Sequence, residues 1–442
     1  ELLRCGLCED DPMHTVIAEL AFCHGEHIWA NLETSARLQE NNHYIADLLG
    51  LAAVVAAYPN LPKARKWGEY THNELMRCVR KQVLDDGCCF ERSTRYTRLM
   101  GEMLFFAGKC FAETPYKLPA EYFERLSILG RFLDAVTNKD GRSLQVGDND
   151  SGRVVCISPE RYDDLRLVSR LVDREIGPDA PDEAFFAEEE LLYGASGRVA
   201  CFPSWRGGAR TFYDAGMALA RYGDWSLGFF ASDGFVDESE PGHTHNDKLS
   251  FTLGFKGVPF FVDPGSGVYT RDPKVRNILR GTAQHSTLRF GNLEQNEFRG
   301  LFGYTRCGGA SLDVAEADGT VVFRGVTDCW ATRLGVTHKR VVEVGSEGVA
   351  VKDDVEGAAP AVVATRSFVL APEVDVSVVG RKEAVLTCRG VSVVFCAESD
   401  ISVREGLYSP HYGAVIKSSI LDVPFEYGRT NVITVREILN ED

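Results

Sequence analysis

From Asn41 to about Leu192 the apolar residues recur at three- and four-residue steps, the spacing of one helix face. Ile45, Leu48, Leu49, Ala52 and Val55 form the first stripe; Asn41 or Asn42 can cap it, and Pro59 and Pro62 close it. Trp67, Leu75, Val79, Val83 and Leu84 continue the pattern, with Gly87 at the expected C-terminus. Ser93 or Thr94 then caps a helix carrying Tyr96, Met100, Met103, Leu104 and Ala107, and further helices fit Ala120–Val136, Pro159–Ile176 and Asp182–Leu192. Short connections between them favour antiparallel hairpins.

Beyond about Arg198 the period changes to two. Trp225–Ala231, Leu249–Phe255, Val258–Val262, Thr320–Arg324, Arg340–Val344, Val349–Val351 and Val362–Val369 are short, rich in Val, Phe and Thr, and separated by Gly and Asp. Helical signals almost vanish from there to Asp442. Helices first and strands afterwards predict an α+β chain of segregated domains: a helical domain over 1–195 and an antiparallel β-sandwich over 196–442, with the boundary near Gly194–Arg198.

Composition narrows the function. Lys and Arg number 48 against 64 Asp and Glu, a formal charge of −16. That disfavours a nucleic-acid binder or an anionic-membrane binder, which would need a broad basic face, yet allows an anionic substrate in a locally basic cleft. No apolar run is long enough to span a bilayer. The chain begins at Glu1 with no basic-then-apolar leader, as expected of a mature form or a fragment. Its 13 cysteines, an odd number, lean towards reduced thiols and a cytoplasmic location; the Cys5–Cys8 CxxC has no partner motif for a zinc ribbon.

Three constellations carry candidate chemistry. Asn41-Asn42-His43-Tyr44 opens a helix; an Asn amide or imidazole N–H there can donate to a carboxylate, although a helix cap beside a surface His accounts for the same residues. Tyr96 lies in a first helical turn beside Arg92, Arg95 and Arg98, where positive neighbours and the helix N-terminus would lower a phenol pKa and make a general base; a packed core Tyr is the alternative. The third is the most specific. Of 10 histidines, His243, His245 and His285 fall within a 43-residue stretch together with Asp263. Two imidazoles and a carboxylate suit Zn²⁺, or Mn²⁺ where water fills more positions, against the alternative of a buried polar network. Gly147-Asp148-Asn149-Asp150-Ser151-Gly152 fits a tight acidic turn better than a Ca²⁺ loop.

Taken together, NNHYIADLLGL, DDGCCFERSTRYTRL, GHTHNDKLSFTLGFKGVPFFVDPGSGVYT, RDPKVRN and AQHST resemble the heparinase II/III family of polysaccharide lyases, in the family's order from about residue 30 to residue 290. The resemblance implies an incomplete (α/α) toroid followed by an antiparallel β-sandwich, and β-elimination of uronic-acid glycans such as hyaluronan, chondroitin, heparan sulfate or alginate. It implies that Asn42, with His43, neutralises the uronate carboxylate, and that Tyr96 and His243 are the catalytic pair. It further implies that His245, Asp263 and His285 hold one structural divalent metal, zinc before manganese. Tyr269 lies near another active-site Tyr of some members. A periplasmic or secreted location would follow, against the cysteine count. The helical part is short for the family, so further toroid helices are expected upstream.

Arg92, Arg95, Arg98, Arg276 and Arg280 are candidate arms for substrate sulfates or carboxylates in a cleft between toroid and sandwich, with Trp67, Trp205, Trp225 and Trp330 as weaker sugar-stacking candidates. Two other functions compete: a toroid glycoside hydrolase, for which Glu91 and Asp148 are the available carboxylates, and a non-catalytic, metal-stabilised glycan-binding or assembly protein.

Overall fold

The computed structural model describes residues 12–34, 41–138, 140–157, 161–176, 186–193, 207–233, 242–305 and 308–438. The chain separates into two compact units: Glu1–Cys89, Thr97–Thr137 and Arg153–Ala200 form one, and Phe90–Tyr96, Asn138–Gly152 and Cys201–Asp442 the other. The single boundary expected near residue 195 lies outside the described residues, as do Cys5, Cys8 and Trp205. Two short segments of the helical half, 90–96 and 138–152, group instead with the strands.

The first unit is built on α1 (Pro12–Ala30), α2 (Asn42–Ala57), α3 (Ala64–Gln82), α4 (Thr94–Phe111), α5 (Ala120–Ala135), α6 (Leu167–Ile176) and α7 (Ala187–Tyr193). Asn41 caps α2, its side chain accepting the His43 N–H at 2.9 Å. The α2 stripe is buried as the spacing requires, with Tyr44, Ile45, Leu48, Leu51, Ala52 and Val55 inward. Helix α3 ends at Gln82, sooner than its apolar spacing suggests, because Val83 leaves the helix to bridge Cys89 in a tight hairpin. Gly130 lets α5 and α6 touch: a Cβ there would sit 2.8 Å from the Ser169 Cα.

In the second unit, β1 (Gly208–Phe212), β2 (Met217–Tyr222), β3 (Trp225–Phe230), β4 (Ser250–Phe255) and β5 (Val258–Phe261) form an antiparallel meander. After α8 (Pro273–Leu279) come β6 (Leu288–Phe290), the small hairpin β7 (Phe298–Arg299) and β8 (Gly303–Tyr304), then β9 (Ala310–Ala317), β10 (Thr320–Thr327) and the short helix α9 (Ala331–Leu334). The chain continues through β11 (Thr337–Gly345), β12 (Gly348–Glu356), β13 (Ala364–Val369), β14 (Asp375–Val379), β15 (Glu383–Cys388), β16 (Val391–Ala397), β17 (Ser402–Tyr408), β18 (Ile416–Pro424) and β19 (Asn431–Glu437). An eight-stranded sheet runs β14-β15-β16-β19-β12-β11-β10-β9 and a four-stranded sheet β17-β18-β13-β6. Alternation along β11 and β12 buries every second residue, and Phe229, Phe251, Phe261, Phe323, Phe368 and Phe395 fill a shared core. Helix α8 breaks the strand pattern; Asp272 caps it by accepting from Lys274 N and Val275 N, and Pro273 occupies its first turn.

No described helix is long and apolar enough to cross a membrane. The described cysteines are free thiols, including the buried neighbours Cys88 and Cys89. Trp67, Trp225 and Trp330 are core residues and offer no face to a sugar.

A polar seam crosses the apolar core of the second unit. Asp353 accepts from Arg340 at 2.7 and 3.0 Å and from His338 Nε2 at 2.8 Å, all fully buried. Arg366, opposite Leu288 and Val423, is equally buried; its Nε, Nη1 and Nη2 have no hydrogen-bond partner among the described residues, and burial lowers its pKa against the pull of Asp353. Losing one partner of a hydrogen-bonded buried pair is costly, whereas a buried cation that makes no hydrogen bond recovers little of its desolvation cost. In chemical denaturation Arg366→Met should therefore match or exceed the parent's stability, while Arg340→Met, which strips Asp353 of its bidentate cation, should cost about 3–5 kcal/mol.

In the first unit, burial pushes Asp134 from its ordinary 3.8 up to about 7, against the single bond it accepts from Ser169 Oγ at 2.8 Å. A carboxyl whose folded pKa is raised keeps its proton while the unfolded chain loses it, so stability falls as pH rises from 4 to 7. Thermal melts of Asp134→Asn should lose that component, the variant gaining up to about 4 kcal/mol over the parent above pH 7 and little at pH 4.

Candidate active site

The site is assembled within the second unit by backbone ties between segments far apart in sequence. Ser93 Oγ donates to the Asp148 carbonyl at 2.6 Å and accepts from Tyr96 N at 3.2 Å, capping the turn that carries Tyr96. Asp148 N–H donates to the His243 carbonyl at 2.9 Å, and the bend at Gly147 (φ 69°) makes room, since a Cβ there would lie 2.6 Å from that oxygen. Asn149 N–H donates to Ser266 Oγ, whose hydroxyl returns a bond to the Asn149 carbonyl, both at 2.9 Å. The acidic turn 147–152 is thereby fastened to the loops carrying His243 and Asp263.

The Tyr96 and His243 rings stack, centroids 3.6 Å apart and planes at 17°. The Tyr96 hydroxyl donates to Asp150 Oδ2 at 2.9 Å and lies 3.1 Å from the Tyr269 hydroxyl. Burial, then the neighbouring Tyr269 and Asp150, push the Tyr96 phenol far above its ordinary value. Burial and Asp148 do the same to Tyr269. The arginine-lowered phenol expected from the sequence is therefore corrected: Tyr96 is a neutral phenol, equipped to give a proton. His243 Nδ1 meets Asp148 Oδ2 at 2.8 Å, and its Nε2 lies 3.8 Å from Glu91 Oε2. Burial alone would lower the imidazole pKa; Glu91 and Asp148 outweigh it and hold it above the ordinary value.

Asp148 is fully buried. It accepts from Arg276 through both carboxylate oxygens, from Nη2 at 2.6 Å, from His243, and from His245 Nε2 at 2.9 Å. Burial opposes its ionisation, but Arg276 and the two imidazoles hold its carboxyl well below the usual carboxylate range. An ionised carboxylate only accepts, so His245 donates to it from Nε2, and its neutral imidazole would turn a lone pair on Nδ1 to the other side. His285 Nδ1 donates to the Gly281 carbonyl at 2.8 Å, and its Nε2 points back at His245 Nδ1, 3.3 Å away. Asp263 Oδ2, buried and without a hydrogen-bond partner, lies 3.5 Å from His285 Nε2. These ligand atoms fall within 4.8 Å of one another in a buried group. Two imidazole nitrogens and a carboxylate oxygen gathered this closely in a buried place are a donor set that fits a divalent cation.

The five arginines expected as substrate arms are corrected in part. All are buried. Arg98 donates to the Tyr162 carbonyl at 3.1 Å and pairs with Glu102, Arg276 holds Asp148, and Arg280 donates to Asn277 Oδ1 at 2.9 Å and the Gly300 carbonyl at 2.6 Å. These three guanidiniums satisfy internal acceptors and have no face for a ligand. Arg92 pairs with Asp233 at 2.5 Å, and Arg95 lies in the first turn of α4. Asn42 and His43 belong to the first unit, Asn42 buried and His43 exposed beside Glu33 at 3.1 Å. The turn 147–152 directs its carboxylates to His243, His245, Arg276 and Tyr96, which removes both the Ca²⁺-loop reading and Asp148 as a hydrolytic acid. Sequence spacing does not single out Asp148, Asp150 and Glu91 as companions of the Tyr–His pair; the Gly-flanked acidic run is the one signal for the first two.

Comparison with known families finds the profile described as Heparinase II/III-like, C-terminal, over residues 206–436, and that described as Heparinase II/III N-terminus over residues 12–133. Among solved structures, a heparinase III superposes with TM-score 0.70 at 19% identity, covering 90% of this chain and 61% of that one. The heparan sulfate lyase from Pedobacter heparinus gives 0.66 at 17% identity, with 94% and 62% covered. A chondroitin AC lyase from Streptomyces coelicolor, in complex with chondroitin sulphate, gives 0.56 at 11% identity, with 90% and 60% covered. The chain thus spans about 60% of the length of these structures. No curated protein sequence matches it. The architecture is an incomplete (α/α) toroid followed by an antiparallel β-sandwich: the order of helices then strands is expected from the change of period, and the toroid from the resemblance.

Proposed function

Since the chain belongs to the heparinase II/III-like family, we propose that it is a polysaccharide lyase that breaks uronic-acid glycans by β-elimination. The observation that carries this reading is the stacked pair of a neutral Tyr96 phenol and a His243 imidazole whose Nδ1 is anchored to Asp148. Glycosaminoglycans are the substrate class favoured by the resemblance to lyases named for heparan sulfate and chondroitin, with alginate-like uronates as a wider class.

The chemistry needs no hydrolytic water. The uronate C5–H is a weak acid because the attached carboxylate is already negative. Hydrogen-bond donors that neutralise that carboxylate would stabilise the enolate-like intermediate. His243 Nε2 takes the C5 proton, the C5–H electrons become the C4–C5 double bond, and the C4–O4 bond breaks. Tyr96 gives its proton to the departing O4, and Asp150 and Tyr269 hold the phenol in place meanwhile. Arg92 and Arg95 are the remaining candidates for contacts with substrate anions.

A divalent ion held by His245, Asp263 and His285, zinc before manganese, would supply rigidity to the loop carrying His243. Its role would be structural, with no step of the elimination passing through it.

Incubation with hyaluronan, chondroitin sulfate, heparan sulfate and alginate should raise the ultraviolet absorbance of the new conjugated double bond on at least one. Folded, metal-replete protein inactive on every uronate would overturn the reading. Tyr96→Phe should lower kcat by about 10²–10⁴ while KM changes little, because the lost hydroxyl acts at the transition state.

Elemental analysis should find about one divalent ion per chain, and chelation should lower the melting temperature of the parent but not of His245→Ala. Metal-free protein with an unchanged melting temperature would remove the metal from this account.

A further inference from the structure

Two imidazoles of different purpose converge on one carboxylate. His243 Nδ1 meets Asp148 Oδ2 at 2.8 Å, and His245 Nε2 meets Asp148 Oδ1 at 2.9 Å. Arg276 closes the remaining side with a bidentate contact, and the Asp148–Arg276 pair is fully buried. We propose that Asp148 is a positioning residue that sets the tautomers of both imidazoles, so that the proton-transfer histidine and the metal triad are prepared by a single anion. The proposal rests on the lyase reading only for the role of His243; its effect on His245 and the triad stands apart from it.

The argument is one of hydrogen-bond inventory. Arg276 can only donate, and so it keeps Asp148 an acceptor. An acceptor-only carboxylate forces each imidazole to present N–H to it. On His243 that places the proton on Nδ1 and leaves Nε2, the nitrogen on the Glu91 side, to exchange protons. On His245 it places the proton on Nε2 and leaves Nδ1 facing His285 Nε2 and the triad. A carboxylate behind a metal-bound imidazole orients the ring and raises its basicity. Here the same carboxylate also orients the neighbouring imidazole two residues away. A displaced Asp148 would disturb both together, because its backbone N–H holds the His243 carbonyl at 2.9 Å as well.

The bland alternative is that Asp148 exists only to neutralise Arg276. The two accounts separate in a set of variants. Asp148→Asn keeps shape but removes charge; its amide can accept from one imidazole and must turn N–H towards the other. Asp148→Asn combined with Arg276→Met removes the unpaired cation as well, restoring folding if the single variant is unstable. Three readouts are taken on intact protein: zinc affinity by chelator competition, the histidine tautomers by ¹⁵N NMR of histidine-labelled protein, and KM and kcat on whichever uronate the parent cleaves.

The positioning role requires that, in the parent, one histidine be protonated on Nδ1 and bonded to a carboxylate, and that this signal vanish in both variants. Zinc affinity should fall about 10–100-fold in the folded double variant, with kcat lowered by a similar factor and KM little moved. Parent-like zinc affinity and kcat in the folded double variant would overturn the proposal and leave Asp148 as the counter-ion of Arg276. If the parent cleaves no uronate, the lyase reading fails, while the zinc and tautomer readouts still decide the role of Asp148.

Discussion

The site depends on one buried ion pair, Asp148 with Arg276. Removing both charges from water is expensive, and such a pair persists only when its geometry and its remaining hydrogen bonds are good. Here they are. Both carboxylate oxygens take Arg276, and each also takes one imidazole. Four contacts on one carboxylate tie the acidic turn 147–152 to the loop of His243 and His245 and to α8. Helix α8 owes its place in the fold to this duty: its Asp272 cap and Pro273 start fix the direction from which Arg276 enters.

The pair also determines the electrostatics above it. Arg276 lies over the Tyr269 ring and by itself would lower that phenol's pKa, but burial and Asp148 outweigh it, and Tyr96 is raised by burial, Tyr269 and Asp150. Glu91 and Asp148 favour the imidazolium of His243. Two titratable groups in contact are thus driven to opposite tasks by their surroundings, the phenol kept as a donor and the imidazole made a stronger base. In the neighbouring group of His245, Asp263 and His285, each imidazole likewise turns one nitrogen to an acceptor, Asp148 for His245 and the Gly281 carbonyl for His285.

Period and spacing carry much of this in the sequence. The switch from steps of three and four to steps of two separates helices from strands, and β3, β4, β5 and β13 lie within a residue or two of the expected segments. His245, Asp263 and His285 could be grouped because they are close in sequence and of ligating types, and Tyr96 stood out by its helix start. Asp148 could not be grouped, since its partners lie 95, 97 and 128 residues away. A guanidinium in sequence looks like a surface charge; burial of Arg98, Arg276 and Arg280 depends on acceptors supplied by the fold, such as the Tyr162 and Gly300 carbonyls. The Tyr96 pKa is illegible for the same reason: the neighbouring arginines are visible in sequence, but the burial and the carboxylate that outweigh them are not.

A second buried aspartate gives a control for this reasoning. Asp353 also takes an arginine bidentately and an imidazole at 2.8 Å, so its local chemistry is nearly that of Asp148. The difference lies in what the imidazole can reach. The His338 side chain is fully enclosed, with burial lowering its pKa, so it stays a neutral packing element. The His243 side chain keeps 12% exposure, stacks on Tyr96 and approaches the aromatic wall of Tyr269 and Phe302. An Asp–Arg–His cluster is therefore not itself a mark of function. It becomes one where the imidazole edge is left open to a partner that can exchange a proton with it, and Asp148 satisfies that condition while Asp353 does not.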